Sequence, residues 1–132
     1  MLTRRLVNLQ VLGLLLGIAA AASSAQQPSP PDADQPRVIE VIAKRYVFEP
    51  AQIEVIEGER VRILVKSGDG LHGFEIKKFK VSKEIPRGGD PVAIEFTATE
   101  AGSFPILCSV FCGDGHDAME GTLVVTARAV QP

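Results

Sequence analysis

The chain is poor in the side chains that carry most metal and redox chemistry. Its 132 residues include two cysteines, two histidines, two methionines, one tyrosine and no tryptophan. It also lacks a Ser-His-Asp set and a glycine-rich phosphate loop, so neither a serine hydrolase nor a nucleotide-binding protein is indicated. Because sulfur and imidazole donors are so few, their positions in the chain carry most of the functional information.

An excess of basic residues is also missing. Arg4 and Arg5 are the charged residues of the first 25 positions, so the remainder carries 12 basic and 16 acidic residues, a net charge of −4. Proteins that bind nucleic acid usually present a basic face. The charge therefore argues against a nucleic-acid partner.

The longest apolar run is too short for a typical membrane span. It covers residues 11–22, follows the two arginines and precedes the small residues 23–25, whereas a spanning helix needs about 20 apolar residues. This arrangement predicts a cleaved secretory signal over residues 1–25 and an exported, periplasmic protein. The alternative is an uncleaved single anchor that leaves the domain facing the periplasm.

The remaining chain is predicted to be one β-rich domain behind a linker. Residues 26–36 contain four prolines and form the linker, which leaves residues 37–132 for the domain. Seven short apolar or alternating segments predict strands, separated by turns every 8–12 residues. They lie at residues 38–43, 53–56, 61–65, 74–77, 92–97, 104–107 and 122–126. No long helical period is present, so an all-β sandwich is expected.

Both thiols and the single internal thioether fall within one stretch of twelve residues. Residues 108–119 read CSVFCGDGHDAM, which places Cys108, Cys112, His116 and Met119 close together in the chain. Soft sulfur donors together with imidazole select copper or zinc over magnesium or calcium. The second histidine, His72, lies in a separate glycine-rich segment and could supply a further ligand.

The spacing favours copper over zinc. Zinc sites usually carry paired C-x2-4-C and H-x3-5-H units, and methionine is a poor zinc ligand. A mononuclear blue-copper site needs two histidines, one cysteine and a weak axial methionine, and His72, Cys112, His116 and Met119 complete that set. Cys108 is then a surplus thiolate, which has a role if two sulfurs bridge two copper ions.

These motifs resemble the copper-A domain of cytochrome c oxidase subunit II and of nitrous oxide reductase. The family pattern C-x-x-x-C-x-x-x-H-x-x-M matches residues 108–119, and its upstream pattern S-x-D-x-x-H matches Ser67, Asp69 and His72. The resemblance covers residues 37–127. It implies a cupredoxin Greek-key sandwich and a dinuclear copper centre.

The resemblance also implies the role of each ligand. Cys108 and Cys112 would bridge the two copper ions, and His72 and Met119 would bind one of them. The second ion would take the other histidine and a main-chain carbonyl two residues beyond the first cysteine. The full implied set is His72, Cys108, Val110, Cys112, His116 and Met119.

The function expected from this resemblance is a one-electron relay. The donor would be cytochrome c or another small redox protein, and haem-copper oxidase subunit I is a further candidate partner. Oxidase subunits commonly receive electrons through a tryptophan that this chain lacks, which places the usual donor in question. Contact with a membrane would come through a partner or through the uncleaved anchor.

The sequence also suggests side chains that surround the site and leaves alternative functions open. Phe74, Leu107 and Phe111 are candidates for an apolar shell around the metal, and Asp114, Asp117 and Glu120 are candidates for a docking patch for a basic partner. The alternative functions are a mononuclear blue-copper carrier, a copper chaperone, and a domain in which the two cysteines form a structural disulfide.

Overall fold

The computed structural model describes residues 34–130, and these form two packed β-sheets. The nine strands are β1 (Arg37–Lys44), β2 (Val47–Glu49), β3 (Gln52–Ile56), β4 (Arg60–Ser67), β5 (His72–Ile76), β6 (Val81–Ile85), β7 (Val92–Thr97), β8 (Gly102–Leu107) and β9 (Glu120–Thr126). Two single-turn 3-10 helices lie at Lys77–Phe79 and His116–Ala118. The predicted all-β sandwich is confirmed. The predicted signal, the linker up to residue 33 and residues 131–132 lie outside the described residues.

One sheet has the strand order β2-β1-β4-β7, and the other has the order β3-β9-β8-β5-β6. β1 pairs with β4 in parallel and β3 pairs with β9 in parallel, while the other neighbouring pairs are antiparallel. Strands that are distant in the chain pair with each other, as β5 does with β8, and their loops therefore lie side by side. The β4–β5 loop and the β8–β9 loop thereby meet at one end of the sandwich.

The core lies between the two sheets because buried and exposed residues alternate along most strands. β3 and β4 show this clearly, with Ile53, Val55, Val61, Ile63 and Val65 all facing inward. Burying a side chain of this size contributes about 1.5–3 kcal/mol. The core is continuous with the sulfur-bearing residues of the β8–β9 loop, so that loop is packed against the sandwich and does not extend into solvent.

All seven predicted strand segments lie in or overlap observed strands, but two strands were missed. β2 has three residues, and β6 exposes Ser82, Lys83 and Glu84. Both are edge strands, and the pairing of β6 with β5 rather than its own hydrophobic pattern makes it a strand. Across residues 34–130, no helix is long and apolar enough to cross a membrane.

Candidate metal centre

The β8–β9 loop brings five of the six predicted ligand residues together at one end of the core. It begins directly after Leu107 and ends at Met119, and the Cys108 N–H donates to the Met119 carbonyl at 3.4 Å. A 3-10 turn over His116–Ala118 completes the loop, with the Met119 N–H bonded to the His116 carbonyl at 3.1 Å. These hydrogen bonds close the loop, so that Cys108 and Met119, its first and last predicted ligands, lie beside each other.

The Cys112 sulfur is the centre of the cluster. It lies 3.6 Å from Cys108 Sγ, 3.7 Å from His116 Nδ1 and 3.7 Å from Met119 Sδ. Both cysteines are free thiols, and with Met119 they are at most 6% exposed. The Cys108 thiol also donates to the Val110 carbonyl at 3.1 Å, so this main-chain oxygen faces the same cluster.

His72 joins the cluster from the first residue of β5. Its ring is fully buried, and its ligand nitrogen lies within 4.8 Å of both cysteine sulfurs. Nε2 is 2.5 Å from Asp69 Oδ1, whereas Nδ1 is the one buried side-chain nitrogen or oxygen of residues 34–130 without a hydrogen-bond partner. A buried polar atom left unpaired costs about 1–3 kcal/mol, so a metal ion at Nδ1 would satisfy an otherwise unfavourable group.

Asp69 fixes the orientation of the His72 ring. Its carboxylate accepts hydrogen bonds from the Arg45 N–H at 2.8 Å and from the Gly70 N–H at 2.6 Å. Partial burial acts to raise the pKa of Asp69, but the bonds from Arg45, His72 and Gly70 outweigh it and lower the pKa to about 2. The ionised carboxylate holds the proton of His72 on Nε2 and leaves the Nδ1 lone pair free for a metal.

The S-x-D-x-x-H segment has a structural explanation in the loop between β4 and β5. The Ser67 hydroxyl donates to the Gly70 carbonyl and accepts the Asp69 N–H at 3.2 Å. These two bonds shape the short loop so that Asp69 turns back toward His72. The serine and aspartate are therefore supports for the histidine.

A close approach of β5 to the β8–β9 loop requires glycine at position 73. The Gly73 N–H donates to Cys108 Sγ at 3.4 Å, and a Cβ on this residue would lie 2.7 Å from the main-chain nitrogens of Ser109 and Val110. Side chains do not tolerate such a distance. Glycine thus allows the strand to donate an N–H directly to the sulfur of Cys108, a predicted ligand.

The separations within the cluster fit a tetrahedral metal ion. Bonds of about 2.0–2.3 Å to nitrogen and sulfur, as zinc makes in proteins, place two tetrahedral ligands about 3.3–3.8 Å apart. The three distances from Cys112 Sγ, 3.6, 3.7 and 3.7 Å, lie within this range. Burial, together with the neighbouring Cys108 thiol, raises the pKa of Cys112 to about 11, so metal uptake at neutral pH must displace its proton.

Comparison with known proteins identifies the family. The family model of the cupredoxin-like domain matches residues 12–125. The chain belongs to the cupredoxin-like domain family. The cytochrome c oxidase subunit 2 of Thermus thermophilus is 32% identical over 85 residues, which cover 64% of this chain and 62% of that protein. The copper-resistant cuproprotein CopI of Pseudomonas aeruginosa is 42% identical over 83 residues, covering 58% of this chain and 46% of that protein.

A solved structure agrees with this assignment. The periplasmic domain of subunit II of cytochrome oxidase from Bradyrhizobium japonicum superposes with a TM-score of 0.63 at 20% identity, over 74% of this chain and 87% of that domain. The predicted cupredoxin fold and the predicted homology to oxidase subunit II are thus confirmed. The cupredoxin-like chain spans less than two thirds of the length of the curated relatives named above.

The β8–β9 loop of this cupredoxin-like domain also has a side that is open to solvent. His116 is half-buried and its ring centroid lies 5.7 Å from that of Phe111, which is 72% exposed. The prediction that Phe111 belongs to an apolar shell is wrong, because the side chain points to solvent from the loop. Phe74 is fully buried and Leu107 is half-buried.

Acidic residues surround this open side. Asp114, Asp117 and Glu120 are all exposed, and none of them forms an ion pair with another residue in the range 34–130. Phe111, in the same loop, adds exposed apolar surface. The face around His116 therefore combines negative charge with an exposed apolar side chain.

Sequence reasoning did not identify Arg45 and Tyr46 as part of the site. The Arg45 side chain donates from Nε to the Cys112 carbonyl at 2.8 Å, and Tyr46 packs against the main chain of Gly113 and Gly115. Both residues lie in the turn between β1 and β2, far from the ligands in the chain. Only the pairing of β1 with β4 brings this turn to the site, so no local motif could have revealed it.

Proposed function

We propose that this cupredoxin-like domain binds copper at a dinuclear copper-A centre and transfers single electrons. The observation that carries the proposal is the buried cluster of two free thiols, 3.6 Å apart, together with buried His72, whose Nδ1 has no hydrogen-bond partner. The proposed ligands are His72, Cys108, Val110, Cys112, His116 and Met119. Copper held there would supply a one-electron couple.

The donor set supports copper over zinc. Met119 Sδ, 1% exposed, faces the Cys112 sulfur at 3.7 Å, and a thioether is a suitable weak ligand for copper but a poor one for zinc. Two thiolates provide soft donors that fit either metal. The thioether therefore supports copper.

The surroundings support electron transfer over substrate chemistry. The sulfur ligands are packed into the core, Gly73 holds Cys108 through a main-chain N–H, and Asp69 holds His72. Ligands held in this way change position little when the charge changes. The partly apolar shell and the hydrogen bonds to sulfur are the features by which a protein sets a copper potential.

The relatives support the same class of function. The Thermus thermophilus relative is named as subunit 2 of cytochrome c oxidase. By analogy, we propose that this domain works as a subunit of a haem-copper oxidase, beside subunit I, or as a freestanding carrier. In either setting it would accept electrons from cytochrome c or another small redox protein at the face around His116. The absence of tryptophan means that another side chain of that face takes the entry role.

A mononuclear copper site is the second candidate. Cys112 alone contacts both His116 and Met119, as a blue-copper site with His72 requires. The 42% identity to a copper-resistant cuproprotein also supports copper binding outside an oxidase. Under this alternative Cys108 is a buried neighbour and not a ligand.

Copper stoichiometry and spectra of three proteins separate the two candidates. The wild-type domain is expected to hold two copper ions, and Cys108→Ser is expected to hold one, because the substitution removes a bridging thiolate. Cys112→Ser is expected to lose more copper, since both candidates need that sulfur. Metal analysis with optical and electron-spin spectra measures these outcomes.

Each result has a defined meaning for the proposal. One copper in wild type, with colour and stoichiometry unchanged in Cys108→Ser, would reject the dinuclear centre and establish the mononuclear one. A wild-type protein that takes up zinc in preference to copper would reject both. Far-ultraviolet circular dichroism of each variant controls for folding, because both cysteines are buried in the core.

We further propose an exported location for the domain, based on the apolar run at residues 11–22 and the small residues that follow it. Cleavage after residue 25 predicts a mature protein that begins at Gln26. Mass spectrometry of protein isolated from its native envelope checks this. A chain that still begins at Met1 in the membrane fraction would instead identify residues 1–25 as an anchor.

A further inference from the structure

The turn between β1 and β2 contacts both loops that carry the proposed ligands. Its first contact is made by the main chain, where the Arg45 N–H donates to Asp69 Oδ2 at 2.8 Å. The other oxygen of that carboxylate, Oδ1, lies 2.5 Å from His72 Nε2. The turn is therefore connected to His72 through one intervening side chain.

The second contact is made by the Arg45 side chain. Its Nε donates to the carbonyl oxygen of Cys112 at 2.8 Å, across 67 positions in the chain. Cys112 is the residue whose sulfur contacts Cys108, His116 and Met119. Arg45 thus links Asp69, which orients His72, to the main chain of Cys112.

Glycines at three positions leave room for the turn. A Cβ at Gly70 would lie 2.9 Å from an Arg45 guanidinium nitrogen, and a Cβ at Gly115 would lie 2.6 Å from Tyr46 Cγ. A Cβ at Gly113 would also be within 3.2 Å of the Tyr46 ring. Both ligand loops therefore fit closely around these two side chains, which indicates a specific contact.

We propose that Arg45 is a positioning residue of the metal centre, which holds the two ligand loops together and raises the reduction potential through its charge. The proposal rests on the proposed copper-binding function. A hydrogen bond from a charged donor is about twice as strong as a neutral one, so the Arg45–Cys112 contact fixes the loop firmly. A nearby positive charge also disfavours the more positive, oxidised state of the metal.

Two substitutions separate the charge from the hydrogen bond. Arg45→Lys keeps the charge but removes the planar Nε donor, and Arg45→Gln removes the charge. Both retain the main-chain N–H that bonds Asp69, so they test the side chain alone. Arg62→Gln is the matched control, because Arg62 is an exposed arginine on β4 that pairs with Glu95 at 3.4 Å.

Three measurements are made on wild type and these variants. Copper release to a chelator is expected to be about tenfold faster in both Arg45 variants, as for the loss of other groups that orient metal ligands. The equilibrium constant for reduction is expected to fall about two- to fivefold in Arg45→Gln at low salt and to stay near wild type in Arg45→Lys. The change should decrease at high salt, because Arg45 is exposed.

Amide hydrogen exchange of the metal-free proteins provides the third measurement. Faster exchange at residues 112–116 in both Arg45 variants, with wild-type exchange in Arg62→Gln, is the expected result. If the wild-type protein holds no copper, the proposed function fails, yet this measurement still reports whether Arg45 holds the loop. A reduction potential and an exchange pattern in Arg45→Gln equal to those of Arg62→Gln would overturn the proposal.

Discussion

The two histidines of the candidate centre stand in opposite environments. His72 is fully buried at the start of β5, within reach of both thiols, with Nε2 bonded to an ionised carboxylate and Nδ1 without a hydrogen-bond partner. His116 is half-buried in a single 3-10 turn, beside the exposed ring of Phe111. On one side of the sulfur cluster His72 is therefore shielded from solvent, and on the other side His116 is partly exposed to it.

The difference follows from the elements that carry each residue. A strand inside a sheet is held by neighbours on both sides, and β5 lies between β6 and β8. The His116 turn is held mainly by local hydrogen bonds to Gly113 and Met119. The His72 side of the cluster, called the sealed half below, is therefore suited to fixing the geometry of the site. The His116 side, called the open half, is suited to contact with a partner.

The largest expected effect distinguishes the two histidines directly. His72→Gly and His116→Gly should each lower copper affinity by about 100-fold or more, since loss of even an orienting group costs about 10–100-fold. Added imidazole should restore the His116→Gly site, because solvent reaches that position, and should fail at the sealed His72 position. Copper titrations with and without imidazole measure this.

Equal rescue of both variants would show that the two halves do not differ in access. His116→Gly without imidazole, compared with the same variant given a non-coordinating salt, controls for ionic strength. The metal-free variants should have similar circular dichroism spectra if both remain folded.

A smaller effect is expected when a Cβ is added to each half. Gly73→Ala should lower the free energy of unfolding by about 1–3 kcal/mol, because the new Cβ meets the main chain of Ser109 and Val110. Gly115→Ala should cost less, because its Cβ meets the side chain of half-buried Tyr46 and not the main chain. Urea unfolding of the metal-free proteins gives both values.

A double-mutant cycle tests the reason for this difference. Tyr46→Ala should remove most of the cost of Gly115→Ala, since the ring is the obstacle, and should leave the cost of Gly73→Ala unchanged. A cost of Gly115→Ala that persists without the ring would contradict the explanation.

The smallest effect concerns the charges of the open half. Neutralising Asp114, Asp117 and Glu120 to Asn and Gln should slow electron exchange with a basic cytochrome c severalfold at low salt, because opposite charges speed encounter. The loss should shrink as salt rises, since the Debye length falls from about 10 Å at 0.1 M to about 3 Å at 1 M. Stopped-flow kinetics at two ionic strengths measures it.

A matched triple variant removes the same charge elsewhere. Glu40, Glu54 and Glu95 are exposed acidic residues on strands, away from the β8–β9 loop. Their change to glutamine should leave the rate closer to wild type. If both triple variants behave alike, net charge and not a docking face around His116 controls the rate.

The sequence predicted the strands in which apolar and polar residues alternate. It also predicted which residues the structure brings together at the site. Apolar alternation in β4 and β7 reflects burial against the opposite sheet, so it is visible locally. The twelve-residue ligand stretch is also local, and its unusual donor types make it recognisable. His72 was predicted from a second motif, and the structure places its ring within reach of both sulfurs.

The amino-acid sequence by itself determined the all-β class, the donor types and the grouping of four donors in one loop, because each depends on residues near one another in the chain. Only the tertiary structure decided that Phe111 faces solvent, that β2 and β6 join the sheets as edges, and that Arg45 contacts both the β4–β5 loop and the β8–β9 loop. These depend on pairings such as β1 with β4 and β5 with β6, which bring distant segments together. A contact made across 67 positions leaves no local pattern in the residues that make it.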